Sequence, residues 1–276
     1  RQVAGAFVQS KASWGIFDLI GAARYDNYHL EGGETELDGS RASPKLTAGV
    51  TPLTGMTFFA TYAEGYRAPA VTETLISGFH PQPAPFKLLP NPDLSPEVAH
   101  NIEGGVNLKY DRIFTANDAF RAKFTVFQNQ VDDYIDAVYT PFPLPWGQLQ
   151  YQNIAEATLE GIEFEGTYDA KSWFLAVGAH RIRGTNDTDG TPLTTVPADQ
   201  ITLTAGMRWM DGKLVTGVRT RFVAAQKDVP DAALAVDGYT VADIFAQYNY
   251  SDDLVFNLNV DNVFDKEYVQ YLDQSN

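Results

Sequence analysis

Apolar and polar positions alternate with a period of two through most of the chain. In Ile201–Trp209, Ile201, Leu203, Ala205, Met207 and Trp209 share one face, while Thr202, Thr204, Gly206 and Arg208 share the other. Phe120, Ala122, Phe124 and Val126 oppose Arg121, Lys123 and Thr125 in the same way. Leu254, Phe256, Leu258 and Val260 oppose Val255, Asn257, Asn259 and Asp261, and Ile162 and Phe164 alternate with Glu163 and Glu165. Helical spacing is sustained nowhere, so the pattern predicts an all-β chain.

Connections between these segments alternate short and long. Tight turns are expected near Ser10–Ser13, Thr51–Gly55, Asp111–Asp118, Asp169–Ser172, Met210–Lys213 and Ser251–Asp252. Long polar connections are expected near His29–Ser43, Tyr66–Glu97, Tyr139–Ala157, Ile182–Gln200 and Ala224–Gly238. This divides the chain into about 12 strands, many near the length that a tilted strand needs to cross a bilayer. Tight turns on one side and long loops on the other are the pattern of an outer-membrane barrel. A soluble sandwich also alternates, but has no reason to gather every long loop at one end. Trp173, Trp209, Tyr248 and Tyr250 end apolar faces as interfacial girdles do. The apolar face is therefore assigned to lipid and the polar face to a wet lumen.

Composition narrows the partners. The chain has 276 residues, no cysteine and a net charge of −15. Without cysteine there is no disulfide framework and no thiolate metal site. The acidic balance and the lack of a basic stripe argue against nucleic acid. No apolar run is long enough for a transmembrane helix. The N-terminus shows no signal-peptide core and starts inside a strand. The last recognisable strand runs outward, so a closing strand is expected beyond it, and the segment reads as a piece of a larger barrel.

Several motifs support a family resemblance. "LNVDNVFDKEYVQY" (Leu258–Tyr271) resembles the segment before the final strand of TonB-dependent outer-membrane receptors. "TYAEGYRAPAVTETL" with "NPDLSPEVAHNIEGGV" is similar to their mid-barrel signature. "FRAKFTVFQNQVDDYI" and "YQNIAEATLEGIEFEG" extend the resemblance over essentially the whole chain. It implies a barrel of about 22 strands closed by an N-terminal plug. Residues 1–276 would be its C-terminal portion, roughly strands 10 to 21, without the plug and closing strand. It also implies the outer membrane of a Gram-negative bacterium, contact with its lipid, and TonB coupling through the absent plug.

Substrate class is implied by finer motifs. YRAP (Tyr66–Pro69) and NPDL (Asn91–Leu94) are similar to the FRAP and NPNL boxes of haem and haemoglobin receptors, although siderophore receptors carry comparable boxes. Between them, "VTETLISGFH" (Val71–His80) looks like the loop of haem and haemophore receptors that holds an axial histidine. The resemblance maps that ligand onto His80, and neutral imidazole is a standard axial ligand of haem iron. Haem is then cargo and not a cofactor, delivered free or by a carrier protein. Arg67, Phe79, Phe86 and His180 are further candidates for contact with haem or its carrier; Leu75, Ile76 and Leu88 add apolar surface. Arg67 suits a structural ion pair at the strand end equally well. Glu97, Asp132 and Asp133 read as rim charges; His29 and His100 fall at strand–loop junctions.

An enzyme is not expected. Glu163 and Glu165 share a face about 7 Å apart, but charges alternating on a lumen wall require only counter-charges, and Arg219 and Arg221 alternate likewise. Nothing resembles a nucleophile–base pair, a zinc signature or a phosphate loop. Two other readings stay open on the residues: a ferric-siderophore receptor of the same architecture, in which His80 is incidental, and a passive porin-like barrel.

Overall fold

The computed structural model describes residues 1–32, 35–80, 86–140 and 147–273. Twelve strands form one antiparallel sheet in chain order, and two short strands lie off that path. The first four are β1 (Gln2–Trp14), β2 (Phe17–Gly32), β3 (Thr35–Leu53) and β4 (Met56–Arg67). A long connection follows, containing the single helical turn α1 (Val71–Thr74) and the short strands β5 (Gly78–Phe79) and β6 (Lys87–Leu89). The sheet resumes with β7 (Glu97–Asp111), β8 (Ala119–Thr140), β9 (Gln148–Asp169) and β10 (Trp173–Asn186). It ends with β11 (Gln200–Trp209), β12 (Leu214–Val223), β13 (Tyr239–Asn249) and β14 (Val255–Val260). Among the described residues the sheet does not close, and β1 and β14 are its two edges.

The alternation has the expected sidedness. Ile201, Leu203, Met207 and Trp209 are exposed, while Thr202, Thr204 and Arg208 on the opposite face are half-buried. Phe124, Val126, Ile162, Leu175, Val218 and Ile244 continue the exposed apolar face on neighbouring strands. In a membrane barrel that face meets lipid. The inner face carries Lys123 opposite Glu165 and Arg219 opposite Asp243, with Glu163 and Arg221 on the same face.

Phenylalanine and glycine are also paired across the inner face. Phe59 faces Gly105, Phe127 faces Gly161, Phe174 faces Gly206, and Phe245 faces Gly217. At Gly206 an added Cβ would lie 2.3 Å from the Phe174 ring. In each pair the far end of the ring reaches over the glycine opposite it, a close approach that only glycine leaves room for.

Two of the expected long loops are in fact mostly strand. Apart from residues 33–34, which lie outside the described residues, His29–Ser43 belongs to β2 and β3, which pair from Phe17↔Val50 up to Gly32↔Thr35. Tyr139–Ala157 is largely the outer end of β8 and β9, each of 22 residues. Beyond the membrane no lipid faces the hairpin, so the apolar alternation that lipid imposes stops while the hydrogen-bonded ladder continues. For the same reason Asp132 and Asp133 lie within β8 and not at its end. The turn expected at Ser10–Ser13 lies later, at Gly15, whose φ of +59° suits glycine; Ser10–Ser13 itself pairs with Asp18–Gly21.

Among the described residues, the buried apolar cluster lies where loop 187–199 folds onto the inner face. Leu193 and Val196 pack on Ala157, flanked by Tyr134, Ile154, Leu159 and Ile182. Gly184 permits this, because a Cβ there would lie 2.5 Å from Val196 Cγ2. Tyr134 Oη and Thr195 Oγ1 are 2.8 Å apart and tie the loop to β8.

Candidate functional site: the loop carrying His80

The loop between β4 and β7 is held at both ends. At its start, Arg67 is the cross-strand partner of Glu97. Arg67 Nη2 donates to Glu97 Oε1 at 2.7 Å, and Nε donates to Oε2. The third corner of the guanidinium, Nη1, donates to both carboxylate oxygens of Glu73 at 2.8 and 3.0 Å. Glu73 also accepts from the backbone N–H of Ala70 at 2.7 Å, which fixes the first turn of α1. Glu97 is buried and accepts a further hydrogen bond from the Ile135 amide at 2.8 Å. The expected rim charge is therefore a buried anchor. Its position opposite an arginine in the ladder removes it from water, and three donors replace the lost hydration.

The return path is stitched to β9. Strand β6 pairs parallel to it, Lys87 with Gln148 through Leu89 with Gln150. Asn91 of the NPDL box donates its amide to the Tyr151 carbonyl at 2.8 Å, and Gln150 donates to the Pro90 carbonyl at 3.0 Å. Asn153 accepts from Ser95 N at 2.8 Å and donates to Ser95 O at 3.0 Å. NPDL thus anchors on β9, two strands beyond the loop's own strand β7. The loop and the projecting β8–β9 hairpin form one body.

His80 lies at the end of the small β5–β6 hairpin. Its N–H donates to the Phe86 carbonyl at 2.9 Å, and the two rings stack at 4.6 Å with 13° between their planes. The tip of the loop, residues 81–85, lies outside the described residues. Phe79 is 65% exposed, and Ile76 is also exposed. Leu75 instead meets the β2–β3 hairpin, where its Cδ1 would lie 2.3 Å from a Cβ on Gly32.

The remaining candidates have partners of their own. Arg67 is taken up by its two carboxylates. His180 projects from the inner face of β10, opposite Glu163, with Nε2 3.2 Å from the Ala198 carbonyl. His100 sits between Tyr62 Oη at 3.2 Å and Asp132 at 3.4 Å. His29 lies within β2, 4.0 Å from both Glu31 and Glu36. A groove of about 900 Å³ runs past Ile162, Phe164, Ile201 and Phe222. Ile162, Ile201 and Phe222 belong to the apolar outer face, and His180, Arg181, Asp199 and Lys266 line the same groove. Among the described residues, no group of acidic and histidine side chains is arranged to hold a metal ion.

The family described as "TonB dependent receptor-like, beta-barrel" matches residues 1–263. The chain belongs to the TonB-dependent receptors. Members of this family are transport receptors of Gram-negative outer membranes. Heme/hemopexin utilization protein C of Haemophilus influenzae (strain 86-028NP) is 32% identical over 268 residues, which cover 91% of this chain and 38% of that protein. The Hemin receptor of Yersinia enterocolitica is 25% identical over 273 residues, covering 91% and 39%. The chain spans about two fifths of the length of these relatives. A solved structure of a double mutant of the Serratia marcescens hemophore receptor HasR, with its hemophore HasA and heme, aligns with a TM-score of 0.75 at 23% identity. It covers 97% of this chain and 49% of the HasR chain. Copper transporter OprC aligns with a TM-score of 0.78 at 19% identity, covering 98% and 43%. At these identities the structural likeness shows the TonB-dependent receptor fold alone.

Proposed function

We propose that this chain is the C-terminal portion of the barrel of an outer-membrane receptor that binds extracellular haem and imports it with energy delivered through TonB. In this reading haem is the cargo, taken up free or from a carrier protein outside the cell. TonB engages a plug that lies elsewhere in the receptor, and no covalent chemistry on haem is involved. The names of the two relatives support haem as the cargo. The observation that carries the reading is His80, carried on a long loop whose two ends are fixed by Arg67–Glu97 and by Asn91 on β9. A histidine held in this way brings an imidazole, a standard axial ligand of haem iron, to the outer loops of the barrel. Phe79 supplies an exposed apolar surface beside it for the porphyrin or its carrier.

The test is a ferric haem titration of the complete receptor, followed by its absorption spectrum. His80→Ala weakens binding and shifts the haem bands while barrel assembly is retained. His29→Ala and His100→Ala change neither. An unchanged spectrum and affinity in the His80 variant would remove haem from this reading and leave only the TonB-dependent barrel.

A further inference from the structure

We propose that Phe86 is a positioning residue for His80, fixing the plane of its imidazole before haem arrives. This rests on the reading of His80 as the iron ligand. In the β5–β6 ladder Gly78 faces Leu88 and Phe79 faces Lys87, so His80 and Phe86 are the next opposed pair. The His80 N–H to Phe86 carbonyl bond, 2.9 Å, extends the ladder to this pair, and the rings stack at 4.6 Å. Stacking of this kind adds to the stabilisation that burial gives an aromatic pair.

The two arms of this hairpin are not equally supported. Strand β6, which leads out of Phe86, is hydrogen-bonded along β9 from Lys87 to Leu89, with Lys87 N donating to the Gly147 carbonyl at 3.1 Å. Phe86 therefore belongs to the arm anchored on the β8–β9 hairpin. The Cβ–Cγ torsion of histidine is intrinsically broad. A phenyl ring lying flat on the imidazole narrows it and passes the rigidity of β9 to the ligand. Metal coordination uses a nitrogen lone pair in the plane of the imidazole, whereas Phe86 covers a face. The stack thus restricts the ring without covering the direction of the iron bond.

A preorganised ligand avoids the entropy of immobilising one side chain on binding, which corresponds to about two- to tenfold in affinity. The experiment is a ferric haem titration of the complete receptor with electron paramagnetic resonance of the bound haem. Phe86→Leu keeps His80 ligation but binds about two- to tenfold more weakly, and its anisotropic low-spin signal broadens as the imidazole plane samples more orientations. Phe86→Tyr, which retains a flat ring, restores both affinity and linewidth. The proposal is overturned if Phe86→Leu matches the wild type in linewidth, or if Phe86→Tyr is as broad as Phe86→Leu. A role limited to covering the porphyrin would change affinity and leave the linewidth unmoved. If His80→Ala leaves the haem spectrum unchanged, the ligand reading itself fails and the proposal falls with it.

Discussion

Arg67 and Glu97 face each other across the β4–β7 ladder and are joined by two hydrogen bonds, one of them 2.7 Å. The same guanidinium reaches Glu73 in α1, and the same carboxylate holds the amide of Ile135 in β8. One arginine thus connects the loop's first turn to two strands of the wall.

Because the fork geometry matters, Arg67→Lys is expected to loosen the loop although it keeps the charge. Limited proteolysis of the complete receptor should show faster cleavage within residues 68–96, with unchanged barrel assembly. Glu97→Ala should do more, since it also leaves the Ile135 amide without its acceptor, a cost of about 1–3 kcal/mol. Cleavage at the wild-type rate in both variants would refute the anchoring role.

Gly206→Ala should destabilise the barrel through the Phe174 ring that lies over it. Overpacking of this kind typically costs about 1–3 kcal/mol. The three atoms nearest to the added Cβ all belong to Phe174, so Phe174→Leu in the same chain should recover part of the loss. Thermal unfolding of the two single variants and the double variant measures the coupling. Simple additivity would show that the ring and the glycine are independent.

Lipid-facing and lumen-facing positions should differ in their tolerance of charge. Leu203 and Thr204 are adjacent in β11, one exposed on the apolar face and the other half-buried on the inner face. Near the bilayer midplane, Leu203→Arg is expected to cost about 2–4 kcal/mol, and Thr204→Arg much less. Unfolding in lipid vesicles compares them, and equal costs would contradict the assigned sidedness.

The turn between β7 and β8 should loosen in acid. Asp118 is buried, and removal from water raises its pKa. Hydrogen bonds from Phe114 N, Tyr168 Oη, Thr115 N and Ile113 N outweigh that effect and bring it down to about 2. A carboxyl depressed in the folded state stabilises it above the unfolded pKa of about 3.9, and that contribution is lost as pH falls toward the folded value. Hydrogen exchange at Ile113, Phe114 and Thr115 should lose protection between about pH 4 and pH 2. Asp118→Asn should abolish that pH dependence, and protection that persists in the wild type below pH 2 would contradict the assignment.

The amino-acid sequence by itself determined the strands that cross the membrane and which face each side chain takes. Lipid and lumen impose opposite polarity on alternate residues, and this leaves a period of two in Ile201–Trp209 that can be read directly. The loop boxes YRAP and NPDL were legible as motifs, but their anchorage was not: Arg67 of the first pairs with Glu97 on the adjoining strand, whereas Asn91 of the second is tied to β9. What only the tertiary structure decided lies where that opposition of environments disappears. Above the membrane no lipid faces β2–β3 and β8–β9, and loop 187–199 covers part of the latter, so the strands continue there without the two-environment pattern. Partners distant in sequence leave no local trace: Asn91 bonds to Tyr151 and Glu97 to Ile135, and loop 187–199 folds onto Ala157. The same holds for Phe86 and His80. Their stacking depends on a ladder register and on β6 lying along β9, neither of which a period in one strand can encode.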